Sequence, residues 1–250
     1  MSDVPDLTIE SVWKRSWSLV RTRWGSILAF IVLLMVVTFL NEKFTDMVTS
    51  PVQDFLSGPF GLFDVFGMAA VVELITSLAV STMIYPITAI PLGFATVGVT
   101  KVTLDIVRGK PFSWSRLLQH SLMEWAFTVA ALVMVYFLTL LGILFLIIPG
   151  VIFSILTTLT VYVVVDQEAD PVTAMFESIR LMRGNIGFMM MVYFSSSVAM
   201  FFGVLACLVG IIPVLLMVVM LNAIIYDTLV AQRGRLDESA PNAPILFAEE

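Results

Sequence analysis

The sequence predicts an all-α, polytopic membrane protein: six transmembrane helices in three hairpins, with amphipathic helices on the cytoplasmic face. Three observations carry this. Hydrophobic residues make up 59% of the 250 and charged residues only 13%, against about 45–50% and about 25% in soluble domains. A chain this apolar cannot cover itself with polar surface, so the bilayer is its expected solvent. Apolar runs recur at about 25–40, 78–99, 126–148, 151–165, 186–208 and 214–230. With those spans, Lys14, Arg15, Arg21, Arg23, Lys101, Arg108, Lys110, Arg116, Arg180, Arg183, Arg233 and Arg235 share one side, and only Lys43 takes the other. That asymmetry makes the shared side cytoplasmic, with both termini there.

Residues Thr8 to Trp24 come first. Ile9, Val12, Trp13, Trp17, Val20 and Trp24 recur at helical spacing, with Lys14, Arg15, Arg21 and Arg23 mostly on other faces. A basic, tryptophan-bearing helix suits the membrane surface, its rings at headgroup depth and its cations toward anionic lipid. The alternative is the same helix packed on protein. The acidic N-terminus has no basic stretch before an apolar core, so no cleaved leader is expected. The first span, Gly25 to Leu40, leads into a Phe-rich loop, Asn41 to Gly67, on the opposite face.

Met68 to Arg108 exceeds one simple span and contains Glu73, Pro86 and Pro91. A helix kinked at the prolines is expected, crossing at Leu78 to Val99. Neighbouring helices or Ser/Thr hydroxyls then re-satisfy the freed carbonyls. A basic loop with a short helix from Pro111 follows, carrying Trp114 and ending near Trp125. Ile148-Pro149-Gly150 reads as a tight turn between spans three and four, and Gly210 to Pro213 as the turn between five and six. Between them, Asp170-Pro171 marks a helix start, Asp as N-cap and Pro at the first helical position. Val172, Met175, Phe176, Ile179 and Met182 form its expected apolar stripe. Residues 1–231 read as one domain and 232–250 as a disordered cytoplasmic tail.

A unit of amphipathic segment, span, turn and span occurs three times, starting near Thr8, Pro111 and Pro171. At an offset of 162 residues, Ser16, Leu19, Arg21 and Gly25 fall on Ser178, Leu181, Arg183 and Gly187. Such a repeat suggests a pseudo-symmetric bundle.

Motifs for catalysis and metal binding are scarce. His120 is the single histidine and Cys207 the single cysteine; no Cys/His spacing suits a metal, and no phosphate-binding glycine loop occurs. No cofactor is expected. The acids Glu73, Asp105, Asp166 and Asp227, with Arg183 and Asn222, are the candidate polar positions. Asp105 sits four residues from Lys101, a helical ion-pair spacing, and Asp227 is placed to pair with Arg183 or Arg233. Trp13, Trp17, Arg21, Arg23, Trp24, Trp114 and Trp125 are the candidate lipid-interface residues. Pro86, Pro91, Pro149 and Pro213 are the candidate kinks and turns.

The stretch Gly142 to Gly187 carries G-x-x-x-x-x-IIPG-V, then VVVD at Val163 to Asp166, then P-x-x-A-x-x-x-S from Pro171 to Ser178. It resembles the membrane domain attached to some bacterial glycerophosphodiester phosphodiesterases, a domain also found in stand-alone bacterial inner-membrane proteins. The chain departs from it with Gln167-Glu168-Ala169, where a glycine-containing turn is usual, and with Met182-Arg183-Gly184. The resemblance implies a six-helix bacterial cytoplasmic-membrane protein with no assigned catalytic residues.

The expected function is non-enzymatic: a scaffold, assembly partner or lipid-organising module. Its partners are then membrane lipids, anionic headgroups at the cytoplasmic face and another membrane protein, with no nucleic acid. A transporter or flippase for a lipid or small apolar solute is the alternative. A membrane-embedded enzyme using Glu73, Asp105 or Asp227 is a third reading. No charge falls at mid-depth in the spans, which argues against an ion-coupled pump.

Overall fold

A computed structural model describes residues 8–22, 36, 38–47, 49–51, 69–111, 113, 115, 119, 121–205 and 211–239. Every regular element among them is a helix. Besides the helical residues at 36, 38–47 and 49–51, these are in order α1 (Ile9–Thr22), α2 (Ala69–Val107), α3 (Leu122–Phe145), α4 (Ile147–Leu156), α5 (Thr160–Gln167), α6 (Pro171–Met182), α7 (Ile186–Leu205) and α8 (Ile211–Ser239). Five stretches are long and apolar enough to cross a bilayer: Thr82–Val107, Leu122–Phe145, Ile147–Gln167, Ile186–Leu205 and Pro213–Gly234. The chain is therefore a helical, membrane-embedded protein. The expected first span, 25–40, lies outside the described residues except at 36 and 38–40. Those positions are helical, and the helix continues through 41–47 into the expected loop. Asn41 to Met47 contains no glycine or proline, and Lys43 pairs with Asp46 at 3.6 Å one turn away.

Burial separates centre from rim. Leu216, Met220, Leu221, Ile224, Ile225 and Tyr226 of α8 are all fully buried and share one core cluster with Val102 and Ile106 of α2 and Leu159 and Val163 of α5. α3 is the most apolar of the crossing helices yet only 11% of its apolar window is buried. Leu144, Phe145, Ile147 and Ile148 stand at least 70% exposed at the α3–α4 corner. Apolar surface of that extent is untenable in water and natural against lipid tails.

Several boundaries differ from the sequence expectation. The corner between α3 and α4 is the single extended residue Leu146 (φ −159°, ψ 130°), and Ile147-Ile148-Pro149 forms the first turn of α4. Pro213 likewise lies in the first turn of α8. Both prolines sit where backbone amides have no helical acceptor, so their missing N–H costs nothing. Pro86 and Pro91 lie inside α2, whose crossing portion reaches Val107 rather than Val99. Thr88 and Thr96 bond the carbonyls of Tyr85 and Leu92, not those of Thr82 and Ile87, which lost their amide donors to the prolines. The fourth span is broken at Thr157–Leu159 into α4 and α5. α8 runs on to Ser239, so residues 232–239 of the expected disordered tail are helical.

The glycines of the IIPG stretch have a direct cause. A Cβ on Gly142 would lie 2.9 Å from the Cα of Gly150, and one on Gly150 would lie 2.4 Å from the amide nitrogen of Ile143. The two helices of this hairpin meet backbone to backbone, which only glycine permits.

The repeat is visible in three dimensions. α1 begins at Ile9 and α6 at Pro171, the same position at the 162-residue offset, and the buried Val12, Ser16 and Val20 correspond to the buried Ala174, Ser178 and Met182. α6 packs on α3, α4 and α5, the hairpin before it; α1 packs on α7 and α8, the last hairpin. The equivalent middle segment lies mostly outside the described residues, but its Gln119 carbonyl accepts from Lys101 of α2 at 3.2 Å.

Candidate functional site

The polar groups of the described chain converge at one end of the bundle, where α2, α5 and α8 meet. α2 ends in a left-handed turn: Gly109 has φ 81°, its amide donates to the Ile106 carbonyl at 3.1 Å, and the Lys110 amide donates to the Asp105 carbonyl at 2.8 Å. These are the paired bonds of a Schellman helix end. The turn leaves Arg108 as the last residue before the chain reverses and carries Lys110 back over Asp105, at 3.2 Å.

Arg108 is the hub. Its Nη1 and Nη2 donate to Asp166 Oδ1 and Oδ2 of α5 at 2.6 and 2.8 Å, and its Nε donates to Asp227 Oδ1 of α8 at 3.0 Å. Tyr226 Oη donates to Asp166 Oδ2 at 3.0 Å, and Gln167 Nε2 donates to Tyr226 Oη at 3.3 Å. The Tyr226 ring stacks on Tyr162 of α5, centroids 5.6 Å apart. Arg15 of α1 reaches the Val107 carbonyl at 3.5 Å. One planar guanidinium therefore joins three helices, a task its fixed fork of donors suits and a lysine does not. The bond to Asp166, reinforced by Asp227, raises the Arg108 pKa further above its ordinary value, so the cation is permanent.

Two further pairs tie neighbouring elements. Lys101 Nζ lies 2.9 Å from both oxygens of Glu124. Glu124 also closes a capping box with Ser121 at the start of α3, accepting from the Ser121 amide at 2.7 Å while Ser121 Oγ accepts from the Glu124 amide at 3.1 Å. Arg233 of α8 pairs with Glu177 of α6.

These contacts correct several pairings read from spacing. Asp105 pairs with Lys110, not Lys101, because Glu124 on the neighbouring helix holds Lys101 with both oxygens. Asp227 pairs with Arg108 rather than Arg183 or Arg233. Arg183 is exposed at the C-terminal cap of α6, and Asn222 is half-buried one turn before Tyr226. The side chain of Glu73 lies outside the described residues, as do Arg23, Trp24 and Trp114. Asp166 and Asp227 are brought together; Asp105 is beside them through Lys110. Spacing missed Arg108 as the hub, although Arg-Gly-Lys after a long apolar run is a helix-end signal that singles it out.

The interface residues divide. Trp17 is 51% exposed and Arg21 is exposed in the last turn of α1, as expected of a surface helix. Trp13 instead turns inward and donates to Ser195 Oγ of α7 at 3.1 Å. α1 thus buries its Val12–Ser16–Val20 face on protein and presents Trp17 outward. In α6, Asp170 caps as expected, accepting from the Thr173 amide at 3.1 Å. Its buried face is Ala174, Met175, Ser178, Leu181 and Met182, while Val172 and Phe176 of the expected stripe are 49% and 60% exposed. The apolar residues of α6 thus divide between a buried face and an exposed one.

Away from the charged end, α2 and α3 touch closely at two levels. A Cβ on Gly93 would lie 2.5 Å from Val129 Cγ2, and Tyr85 stacks on Tyr136 with centroids 3.8 Å apart. Beside these contacts runs an apolar groove of about 520 Å³ lined by Pro86, Ile90, Trp125, Ala126, Val129, Ala130, Val133 and Met134. Trp125 Nε1 donates to the Ile90 carbonyl across it at 3.0 Å. Among the described residues, no group of three or more His, Cys, Asp or Glu side chains is placed to hold a metal.

Comparison of the chain with protein-family models, with curated proteins and with solved structures finds no match in any of the three.

Proposed function

We propose that the protein is a non-enzymatic integral component of the bacterial cytoplasmic membrane, with both termini cytoplasmic, acting as a scaffold, assembly partner or lipid-organising module. The observation that carries this is the use of its charges. Arg108, Asp166, Asp227, Lys101, Glu124, Arg233 and Glu177 join helix to helix, which is what a rigid framework needs and what a proton-transfer site, with groups free to change partners, does not. The single-sided distribution of cations supports the orientation. The resemblance of Gly142 to Gly187 to a bacterial membrane domain supports the location. Native mass spectrometry of the detergent-extracted protein tests the proposal: bound lipid or a stoichiometric membrane-protein partner is expected. A bare monomer, with the cellular phenotype lost on Asp227→Asn at full stability, would instead favour an enzyme.

The groove beside Pro86 favours the second reading, a transporter or flippase for a lipid or small apolar solute. Flux in proteoliposomes distinguishes it. Flux that depends on Pro86, Pro91 or Asn222 supports transport, and no flux above protein-free vesicles returns the case to the scaffold.

A further inference from the structure

We propose that the groove between α2 and α3 is a binding site for one acyl chain of a glycerophospholipid from the leaflet at the charged end of the bundle. The inference rests on the membrane reading and deepens its lipid-organising part.

On α3 the lining of the groove runs about the depth of one leaflet, while α2 contributes the single turn from Pro86 to Ile90. Its upper end is Trp125, one residue after Glu124 of the capping box and its ion pair with Lys101. Its lower end is Met134. Between the two, α3 rises about 14 Å, close to half the roughly 30 Å of hydrocarbon in a bilayer. Trp125 is the fourth residue of the crossing helix Leu122–Phe145, at the end where indoles are enriched, and its ring reaches down the groove to bond the Ile90 carbonyl. The remaining lining is hydrocarbon and one thioether. A flexible, fully apolar ligand fits it, and a polar solute does not.

The groove is also held open. Gly93 against Val129 and Tyr85 against Tyr136 set the separation of the two helices on one side of it. Pro86 and the two small residues Ala126 and Ala130 leave its floor shallow in bulk. α2 and α3 cannot close over the space without breaking those contacts, and a dry void of this volume would forfeit dispersion contacts along its whole length. Its open side is continuous with the lipid-facing surface of α3, where Ala126 and Ala130 are exposed. The occupant is therefore drawn from the bilayer itself. At the mouth, Lys101 is neutralised by both oxygens of Glu124, so the site selects the chain and is indifferent to headgroup charge.

The test is photolabelling of the full-length protein in vesicles of phosphatidylethanolamine and phosphatidylglycerol, with a diazirine placed midway along one acyl chain. Labelling at Ala126–Met134 and Pro86–Ile90 is expected to exceed, several-fold, that on the more exposed Phe201 and Phe202 of α7. The excess should be the same whether the probe has a zwitterionic or an anionic headgroup. It should disappear in Ala126→Phe/Ala130→Phe, while α7 labelling and the unfolding midpoint stay unchanged. Val133→Phe serves as the second variant should the double variant fold poorly. Even labelling of α3 and α7, an excess that survives both variants, or a cross-link between two copies through the groove overturns the proposal. None of these outcomes touches the scaffold reading, which stands or falls on the native mass spectrum.

Discussion

Arg108 lies across Asp166 with both prongs of its guanidinium engaged, at 2.6 and 2.8 Å, and spends its third nitrogen on Asp227. Removing it leaves two carboxylates facing each other at the meeting point of three helices. Arg108→Gln is expected to cost about 1–3 kcal/mol, below the 3–5 kcal/mol of a fully buried pair, because the side chain keeps 33% exposure. Arg108→Lys should recover little, since an ammonium cannot span both partners. Adding Asp166→Asn to Arg108→Gln should restore part of the loss. Thermal unfolding in detergent, analysed as a double-mutant cycle, measures it; additive losses would remove the hub from the account.

Gly142 and Gly150 let α3 and α4 meet backbone to backbone. Gly150→Ala puts a methyl group 2.4 Å from a main-chain nitrogen, and Gly142→Ala puts one 2.9 Å from a main-chain carbon. Each should cost about 1–3 kcal/mol, the usual range for overpacking, with Gly150 the worse. Equal stability of wild type and Gly150→Ala would mean the hairpin is looser than described.

Among the described residues, two adopt left-handed backbone, Gly109 (φ 81°) and Glu168 (φ 51°). Only the first is a glycine, and the second falls in the turn where the resembled family carries one. Left-handed backbone costs a non-glycine residue about 1–2 kcal/mol. Glu168→Gly is thus expected to raise stability by up to about 1 kcal/mol, and Gly109→Ala to lower it by about as much. Opposite shifts in the unfolding midpoint are the signature.

Asp170 caps α6, and its bonds to the Thr173 hydroxyl and then the Thr173 amide hold its carboxyl below the usual carboxylate range. A depressed folded pKa means the cap stabilises above the unfolded pKa and loses that contribution as pH falls through the folded value. The unfolding midpoint of the wild type should therefore drop on acidification through the range below about pH 4. Asp170→Asn, which caps without titrating, should flatten that part of the profile. A slope identical in the two proteins would exclude the cap as its source.

Ser16 and Ser178 are equivalent in the repeat and both fully buried, yet they differ chemically. Ser178 Oγ donates to the Leu156 carbonyl at 2.8 Å, whereas Ser16 Oγ has no partner among the described residues. Ser178→Ala should cost about 1 kcal/mol, and Ser16→Ala should be neutral or stabilising. Chemical unfolding of the two single variants compares them directly.

The residues divide by how much of their fate was legible along the chain. Asp170-Pro171 announced a helix start because a cap is made within four residues. The Gly142 and Gly150 pair stood out as a motif, but the reason for it, contact across a hairpin, needs both helices in place. The stripe on α6 is legible as apolar, but which of its residues pack on protein (Met175 and Met182) and which stay exposed (Val172 and Phe176) is not, because hydropathy does not tell a protein neighbour from any other apolar surrounding. Along the chain Arg108 is one cation among thirteen; its place as the hub is not legible there, since its two acids come from helices far along the chain.

By itself, then, the sequence determined the solvent and the elements: hydropathy averaged over some twenty residues selects the bilayer, and helices follow because lipid offers the backbone no other partners. Tertiary structure decided the pairings: Arg108 with Asp166 and Asp227, Lys101 with Glu124, Trp13 with Ser195. Those depend on the rotation of each helix about its own axis and on which neighbours it meets, and a one-dimensional pattern carries neither.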